Sequence, residues 1–344
     1  MKRTIIIVAV VVLALIACPM LAQAEKTITL RMAHFIFEKP ESAGAYTDKF
    51  FASEVAKRTG GKVNVEIFWS GQLGQTKELL GLVRSGTVDM AAFPAGYFPS
   101  QFPLWRGPNS LPFVMTKVDQ VIETARRLPK EVPALEQEMQ RNNVKSLFSH
   151  AIAPYQLFAK KPITKVENFK GLRCRTWGVY LPEALAAVGA TGVSVFPTEA
   201  YEASKRGVVD AQVWGLPHGA MLKMDEVAPE ISLWNIMAIV GWGIHINLDK
   251  WKTLPPDVQK VMLDVANECY EVEREREKKN MLWGRDVLSK KGCKFHEISQ
   301  ATREEWVKAC PDFMESWVQA NEKAGNGPAA KQMRDIWLSI VKAN

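Results

Sequence analysis

The chain reads as an α/β protein folded into two lobes. Three observations carry that reading. Segments of period two alternate with segments of helical period, which is the pattern of a largely parallel sheet with covering helices. The same alternation stops and restarts near the middle of the chain. The roughly 320 residues left after an N-terminal leader exceed what a single core ordinarily fills.

Thr27 to Ala33 alternates and predicts a first strand. Ala43 to Arg58 has helical period and stops at Thr59-Gly-Gly61. Val63 to Phe68 alternates again, Ser70 to Gly74 turns the chain, and Thr76 to Ser85 predicts a helix before a short buried strand, Asp89 to Phe93. The second round has strands at Pro154–Ala159, Leu172–Thr176, Val193–Phe196 and Asp210–Val213, with helices at Leu181–Val188 and Glu199–Lys205. Pro256 to Leu288 is helical for longer than an ordinary helix and is long enough to span both lobes. The expected division is 25–150 with about 241–280 in lobe I and 151–240 with about 281–344 in lobe II, joined by strands that cross between them.

Lys2 and Arg3 precede an apolar run from Thr4 to Ala17, and Ala22-Gln-Ala24 follows. A basic start, a short apolar core and small residues at the end make 1–24 a secretory signal peptide, cut after Ala24. A second reading takes Leu15-Ile-Ala-Cys18 as a lipoprotein box with a lipidated Cys18; Pro19 directly after the cysteine favours simple cleavage. Either way the protein is exported to the periplasm. The formal charge is +7, or +5 without Lys2 and Arg3, and the positive residues are mixed with acidic ones. No basic stripe of the kind that binds nucleic acid is present. The run Glu273 to Lys279 predicts a solvated helix face laced with i,i+4 pairs.

Catalytic and metal signatures do not assemble. Five histidines occur without H-E-x-x-H, and there is no G-x-S-x-G, Walker loop or dinucleotide fingerprint. No cofactor and no metal site is implied. His245, between two isoleucines, predicts a satisfied core residue, whereas His34 ends the first strand, where α/β sheets present their ligand sites. Cys174, Cys269, Cys293 and Cys310 form no C-x-x-C; an oxidising compartment permits a Cys293–Cys310 disulfide, and four buried free thiols are the open alternative. Eleven tryptophans are present, and Trp69, Trp177, Trp214 and Trp242 fall at expected strand ends, so together they point to an aromatic-lined cleft.

Arg173 and Arg175 flank Cys174 in "GLRCRTWG" and share one face of an ideal strand. With "KRTGGKVNVEIFWSGQLGQTKELLGLVRSGTVDMA", "LPFVM", "KPITKVENFKGLRCRT" and "PTEAYEASKRGVVDAQ", the chain resembles the solute-binding proteins of TRAP (tripartite ATP-independent periplasmic) transporters, the DctP family, from about residue 28 to about 340. The resemblance implies the two-lobed periplasmic-binding-protein fold with a ligand cleft between lobes. It also implies a monomer that delivers an organic acid to a permease of small and large membrane subunits. It assigns the substrate carboxylate to Arg175, whose planar fork suits that group. Arg173 matches a variable position at the rim, and Asp210 and Glu199 match structural ones. A second arginine that sialic-acid-type members carry near Tyr155 is missing here. Trp214 replaces an asparagine common in dicarboxylate and sugar-acid members, and Val213 replaces a metal-coordinating acid of the 2-oxo-acid branch. The expected binding set is therefore Arg175 with Phe35, Tyr97, Tyr155, Trp177 and Trp214, joined by His34, Trp69, Phe93, Gln212 and Trp242. Such a box suits a monocarboxylate with an apolar or aromatic body. A receptor that presents its ligand to a sensor kinase, and a periplasmic enzyme, are the rival readings.

Overall fold

A computed structural model describes residues 27–343. The expected signal peptide, its cleavage site and Cys18 lie outside the described residues. In chain order the strands are β1 (Ile28–His34), β2 (Val63–Phe68), β3 (Met90–Phe93), β4 (Val144–Ile152), β5 (Tyr155–Ala159), β6 (Arg173–Thr176), β7 (Thr191–Ser194), β8 (Ala211–Gly215), β9 (Glu230–Leu233), β10 (Ile239–Asn247) and β11 (Lys294–Glu297). They form two sheets, one of order β2-β1-β3-β10-β4 and one of order β11-β9-β5-β8-β6-β7.

The lobes follow from how the chain crosses between these sheets. β1 pairs in parallel with β2 and β3, as strand–helix–strand units require, with Met32 opposite both Ile67 and Met90. β10 returns from the other lobe and pairs antiparallel with β3 and β4. In the second sheet β5 is the strand that enters from outside, and it runs antiparallel to β8 and β9. Each crossing strand arrives without a helical connection, so it is free of the parallel crossover rule and takes the reversed direction. The crossings, residues 153–154 and 234–238, lie side by side: the Tyr155 amide donates to Met237 O at 2.8 Å, and the Ile236 amide donates back to Tyr155 O at 3.0 Å.

Local chemistry sets the element ends. Ser42 Oγ accepts from the Ala45 amide at 3.2 Å and caps the helix Ala43–Arg58. That helix stops where expected, because Gly60 and Gly61 take φ of 60° and 82°, which a side chain would resist.

The long helix runs Pro256–Lys290 and touches both lobes, packing on Ala43–Arg58 and β4 with one half and on the short helix Leu216–Met221 with the other. Gly284 permits the second contact: a Cβ there would sit 2.6 Å from Pro217 N and 2.8 Å from the Leu216 carbonyl carbon. The charged run on this helix departs from expectation. Glu273 and Glu277 are each 2% exposed, one turn apart on the inward face. Arg274 pairs outward with Asp119 at 2.6 Å and Glu123 at 3.1 Å.

Two further expectations change. Helices Phe313–Lys323 and Gly327–Ala343, expected in lobe II, lie against lobe I: Trp317 Nε1 donates to Pro103 O at 3.0 Å and Gln332 Nε2 to Glu131 O at 2.9 Å. The Cys293–Cys310 disulfide is absent, and all four described cysteines are free thiols. Cys293 belongs to the apolar cluster around Phe158 and Ile231, while Cys310 sits against Ala184 O on another helix. Burial pushes both thiols up to about 11.

Candidate functional site

β6 places the central charge. Its neighbours β7 and β8 flank it on both sides, with Arg175 opposite Val193 and Cys174 opposite Ala211. Alternation sends Cys174 into the core of lobe II and Arg175 toward lobe I. Arg173, two residues earlier, stays at the surface, where its NH2 meets Asp210 Oδ1 at 2.8 Å. Asp210 also accepts from the Arg173 amide at 2.9 Å, which locks the start of the strand.

Arg175 is 1% exposed. Its Nε donates to Val195 O at 3.0 Å, and its guanidinium carbon lies 4.1 Å from the Trp214 ring centroid and 4.6 Å from that of Trp177. Burial lowers its pKa, and only the hydroxyls of Tyr97 and Tyr155 act the other way. Among the described residues no carboxylate balances it. A buried guanidinium held between two indoles without a counter-charge beside it is suited to an anion.

The surrounding rings are fixed in turn. Trp214 Nε1 donates to Gln212 Oε1 at 2.7 Å, and Gln212 Nε2 donates to Ser204 Oγ at 2.6 Å, so Gln212 orients the indole from behind. Tyr155 meets Trp177 edge-on at 5.2 Å. From lobe I, Phe35 meets Tyr97 at 6.5 Å and Trp242 at 5.6 Å, both edge-on. Tyr97 reaches across to Phe196 of lobe II at 5.4 Å. Burial raises the Tyr97 and Tyr155 hydroxyls, which stay neutral donors at physiological pH.

These groups enclose a cavity of ≈ 90 Å³ measured to water centres, room for several waters or a small organic molecule. Of the expected residues, Arg175, Trp214, Tyr155, Trp177, Tyr97, Phe35 and Trp242 line it. His34, Trp69, Phe93 and Gln212 do not. Gln212 acts through Trp214. Phe93 packs on His245 at 4.3 Å, and His245 Nε2 meets Phe93 O at 3.3 Å, which makes both core residues. Trp69 covers His34 at 4.5 Å.

His34 belongs to a buried chain of ionisable groups behind the cleft. Its Nε2 lies 2.9 Å from Asp48 Oδ2, His150 Nε2 is 3.0 Å from Asp48 Oδ1, and His150 Nδ1 is 3.1 Å from Glu273 Oε1. Burial works against charge on His150, yet Asp48 and Glu273 overcome it and raise its pKa to about 10. Burial would raise the Asp48 carboxyl, but His150 and His34 hold it down at about 2. Burial and the neighbouring Glu273 push the Glu277 carboxyl well above the usual carboxylate range. The chain ties β1, the helix Ala43–Arg58, β4 and the long helix together, and Trp242 rests on His150 with ring centroids 4.4 Å apart.

The cleft also uses residues the sequence did not single out for it. Lys39 stands exposed at the mouth, Ile36, Ile152, Met221 and Leu222 add carbon surface, and His218 lies four residues beyond Trp214. Asn109 is fully engaged, accepting from Gly96 N at 2.8 Å and donating to Val240 O at 2.6 Å. None of these carries a local pattern that separates it from ordinary loop or core residues.

With this geometry in place, comparison with known proteins is direct. Residues 33–320 match the model of the family described as DctP, bacterial extracellular solute-binding protein, family 7. The C4-dicarboxylate-binding periplasmic protein DctP of Rhodobacter capsulatus is 24% identical over 291 residues, 81% of this chain and 83% of that protein. A TRAP periplasmic solute-binding protein of Desulfovibrio salexigens with bound orotic acid superposes with a TM-score of 0.82 at 22% identity, covering 91% of this chain and all of the other. A Bordetella pertussis extracytoplasmic solute receptor that binds pyroglutamic acid gives 0.79 at 20% identity over 90% of this chain and 99% of its own. The two sheets, the long helix and the family match agree: the chain belongs to bacterial extracellular solute-binding protein family 7, the DctP-type receptors of TRAP transporters.

Proposed function

We propose that the protein is an extracytoplasmic receptor that closes on an organic monocarboxylate with an apolar or aromatic body and hands it to a TRAP-type permease. Arg175 carries the reading. A fully buried guanidinium with no carboxylate partner among the described residues is costly unless an anion completes it, and with Trp177 and Trp214 over its faces an anion meets its remaining N–H groups beside the Tyr97 hydroxyl. Phe35, Tyr97, Tyr155 and Trp242 then offer surface for the body of the ligand. The solved relatives that carry orotic and pyroglutamic acids support a small organic acid in this cleft. Residues 1–24 direct export and are removed on the way, and the receptor works as a monomer without turning its ligand over. Val213 brings no side-chain oxygen to the site, so binding proceeds without a divalent ion.

Native mass spectrometry of the purified protein, followed by calorimetry with the acid it carries, tests the reading. Arg175→Ala loses about 3–5 kcal/mol of binding while the fold survives. Affinity within threefold of wild type in that variant removes the carboxylate clamp. EDTA and sodium-free buffer leave wild-type affinity unchanged, and incubation with the acid yields no product. A chelator-sensitive affinity assigns a metal to the site, and turnover makes the protein an enzyme.

A further inference from the structure

The cleft contains a polar group that its own protein leaves unanswered. His218 follows β8 on the short helix Leu216–Met221, beyond the Trp214 that covers Arg175, and its ring lines the cavity. Its Nδ1 is buried and has no hydrogen-bond partner. The atom lies on the Gly215 side of the ring, 3.5 Å from where a Cβ of that residue would stand, and the edge carrying Nε2 is turned away from it. Burial, and after it the Arg175 charge, lowers the imidazole to about 4, so it is neutral and holds one proton. With its one proton on Nε2, the imidazole faces the ligand as a donor.

The neighbourhood narrows what that donor meets. Arg175 takes the two carboxylate oxygens. Arg175, His218, Tyr97 and Tyr155 all line this one cavity, and His218 sits one turn beyond the Trp214 whose indole covers the guanidinium at 4.1 Å. A ligand with only a carboxylate leaves the imidazole N–H dry. A neutral oxygen on the carbon next to the carboxylate answers it.

We infer that His218 is a specificity-determining residue, whose Nε2–H donates to a 2-oxo or 2-hydroxy oxygen of the bound acid. The inference rests on Arg175 as the carboxylate clamp and deepens that reading by naming the second point of recognition.

The test uses two acids that differ by one oxygen, 4-methyl-2-oxopentanoate and 4-methylpentanoate, titrated into the mature protein by calorimetry. Wild type prefers the oxo acid by at least tenfold. His218→Leu binds the plain acid within threefold of wild type and loses the preference, and His218→Gln, which returns an N–H near the same place, restores part of it. Circular dichroism and thermal unfolding check that both variants are folded. A His218→Leu protein that keeps the tenfold preference overturns the assignment and leaves the clamp standing, as does a wild type that binds both acids equally. If neither acid binds and Arg175→Ala changes nothing with any acid, the clamp and the His218 assignment fall together. If His218→Leu does not fold, His218→Gln and His218→Asn decide, since an unaltered preference in Asn, whose amide is too short to reach the Nε2 position, contradicts the donor role.

Discussion

His150 shows how much one buried side chain controls. It lies between Asp48 and Glu273 at 3.0 and 3.1 Å, wholly out of water, and is held cationic by them. Its folded pKa of about 10 stands above the ordinary value of 6.5. A raised pKa means the folded state holds the proton more tightly, so the contribution is complete below about pH 6.5 and drains away as pH climbs toward 10. The denaturation free energy of wild type minus that of His150→Gln is therefore largest near neutrality and shrinks steadily from pH 7 to 10. A difference that is flat across that range removes the charge from His150. Glu277 behaves oppositely. Burial and Glu273 push its carboxyl up toward the protonated form, which an amide mimics, and Glu277→Gln changes stability at pH 7 by less than about 1 kcal/mol or raises it. Glu273→Gln, by contrast, strips a counter-charge from a buried cation and costs about 3–5 kcal/mol. Equal losses in the two variants, measured by urea denaturation, contradict that division.

At the scale of elements, the long helix shows what packing demands of sequence. Gly284 lies where it meets the backbone of Leu216 and Pro217, and neither of those atoms is free to move aside. Gly284→Ala should lose roughly 1–3 kcal/mol despite its gain in helix propensity. Gly81, on the helix Leu79–Arg84, has nothing within 4 Å of a Cβ, so Gly81→Ala is neutral or gains up to about 1 kcal/mol. Denaturant midpoints of the two variants moving the same way contradict this. The same contrast explains which elements were legible. The first half of β1, β2 and the helix Ala43–Arg58 have one buried and one wetter face, so their periods are printed in the sequence. β10 is buried at every position from Ile239 to Asn247 and carries two glycines, so no alternation marks it, and β4, β9 and β11 were passed over with it. The inward glutamates were hidden for a related reason. A run of charges looks solvated until the strand that brings His150 to it is known.

For the whole molecule, the cleft between the lobes decides what the receptor takes, and legibility there was uneven. A resemblance put Arg175 and Trp214 in the expected cleft and strand-end position put Trp177 and Trp242 there, and all four line the cavity; His218 and Lys39 carried no such signal, because only the meeting of two lobes brings them to it. Among the described residues Arg175 is the buried charge lining the cavity, and Phe35, Ile152, Ile239 and the rings of Trp242 and Tyr155 make most of its wall carbon. A short dicarboxylate such as succinate, held at Arg175, buries its far carboxylate against that wall with no cation beside it, at a cost of several kcal/mol. Lys39 does not relieve this cost, since it stands in water at the mouth, where an ammonium is already solvated. An aromatic or branched monocarboxylate places carbon against carbon instead, with about 0.5–1.5 kcal/mol for each well-placed ring pair beyond the area buried. A ligand that binds only the folded receptor raises its melting temperature in step with affinity. Thermal-shift screening at equal concentration should rank aryl and branched monocarboxylates first, their 2-oxo and 2-hydroxy forms above the plain acids, and succinate, malate and hexuronates last. If succinate or malate gives the largest shift and Lys39→Ala abolishes it, the mouth cation reaches further inward than its exposure implies, and the cleft is a dicarboxylate site built on Arg175 and Lys39.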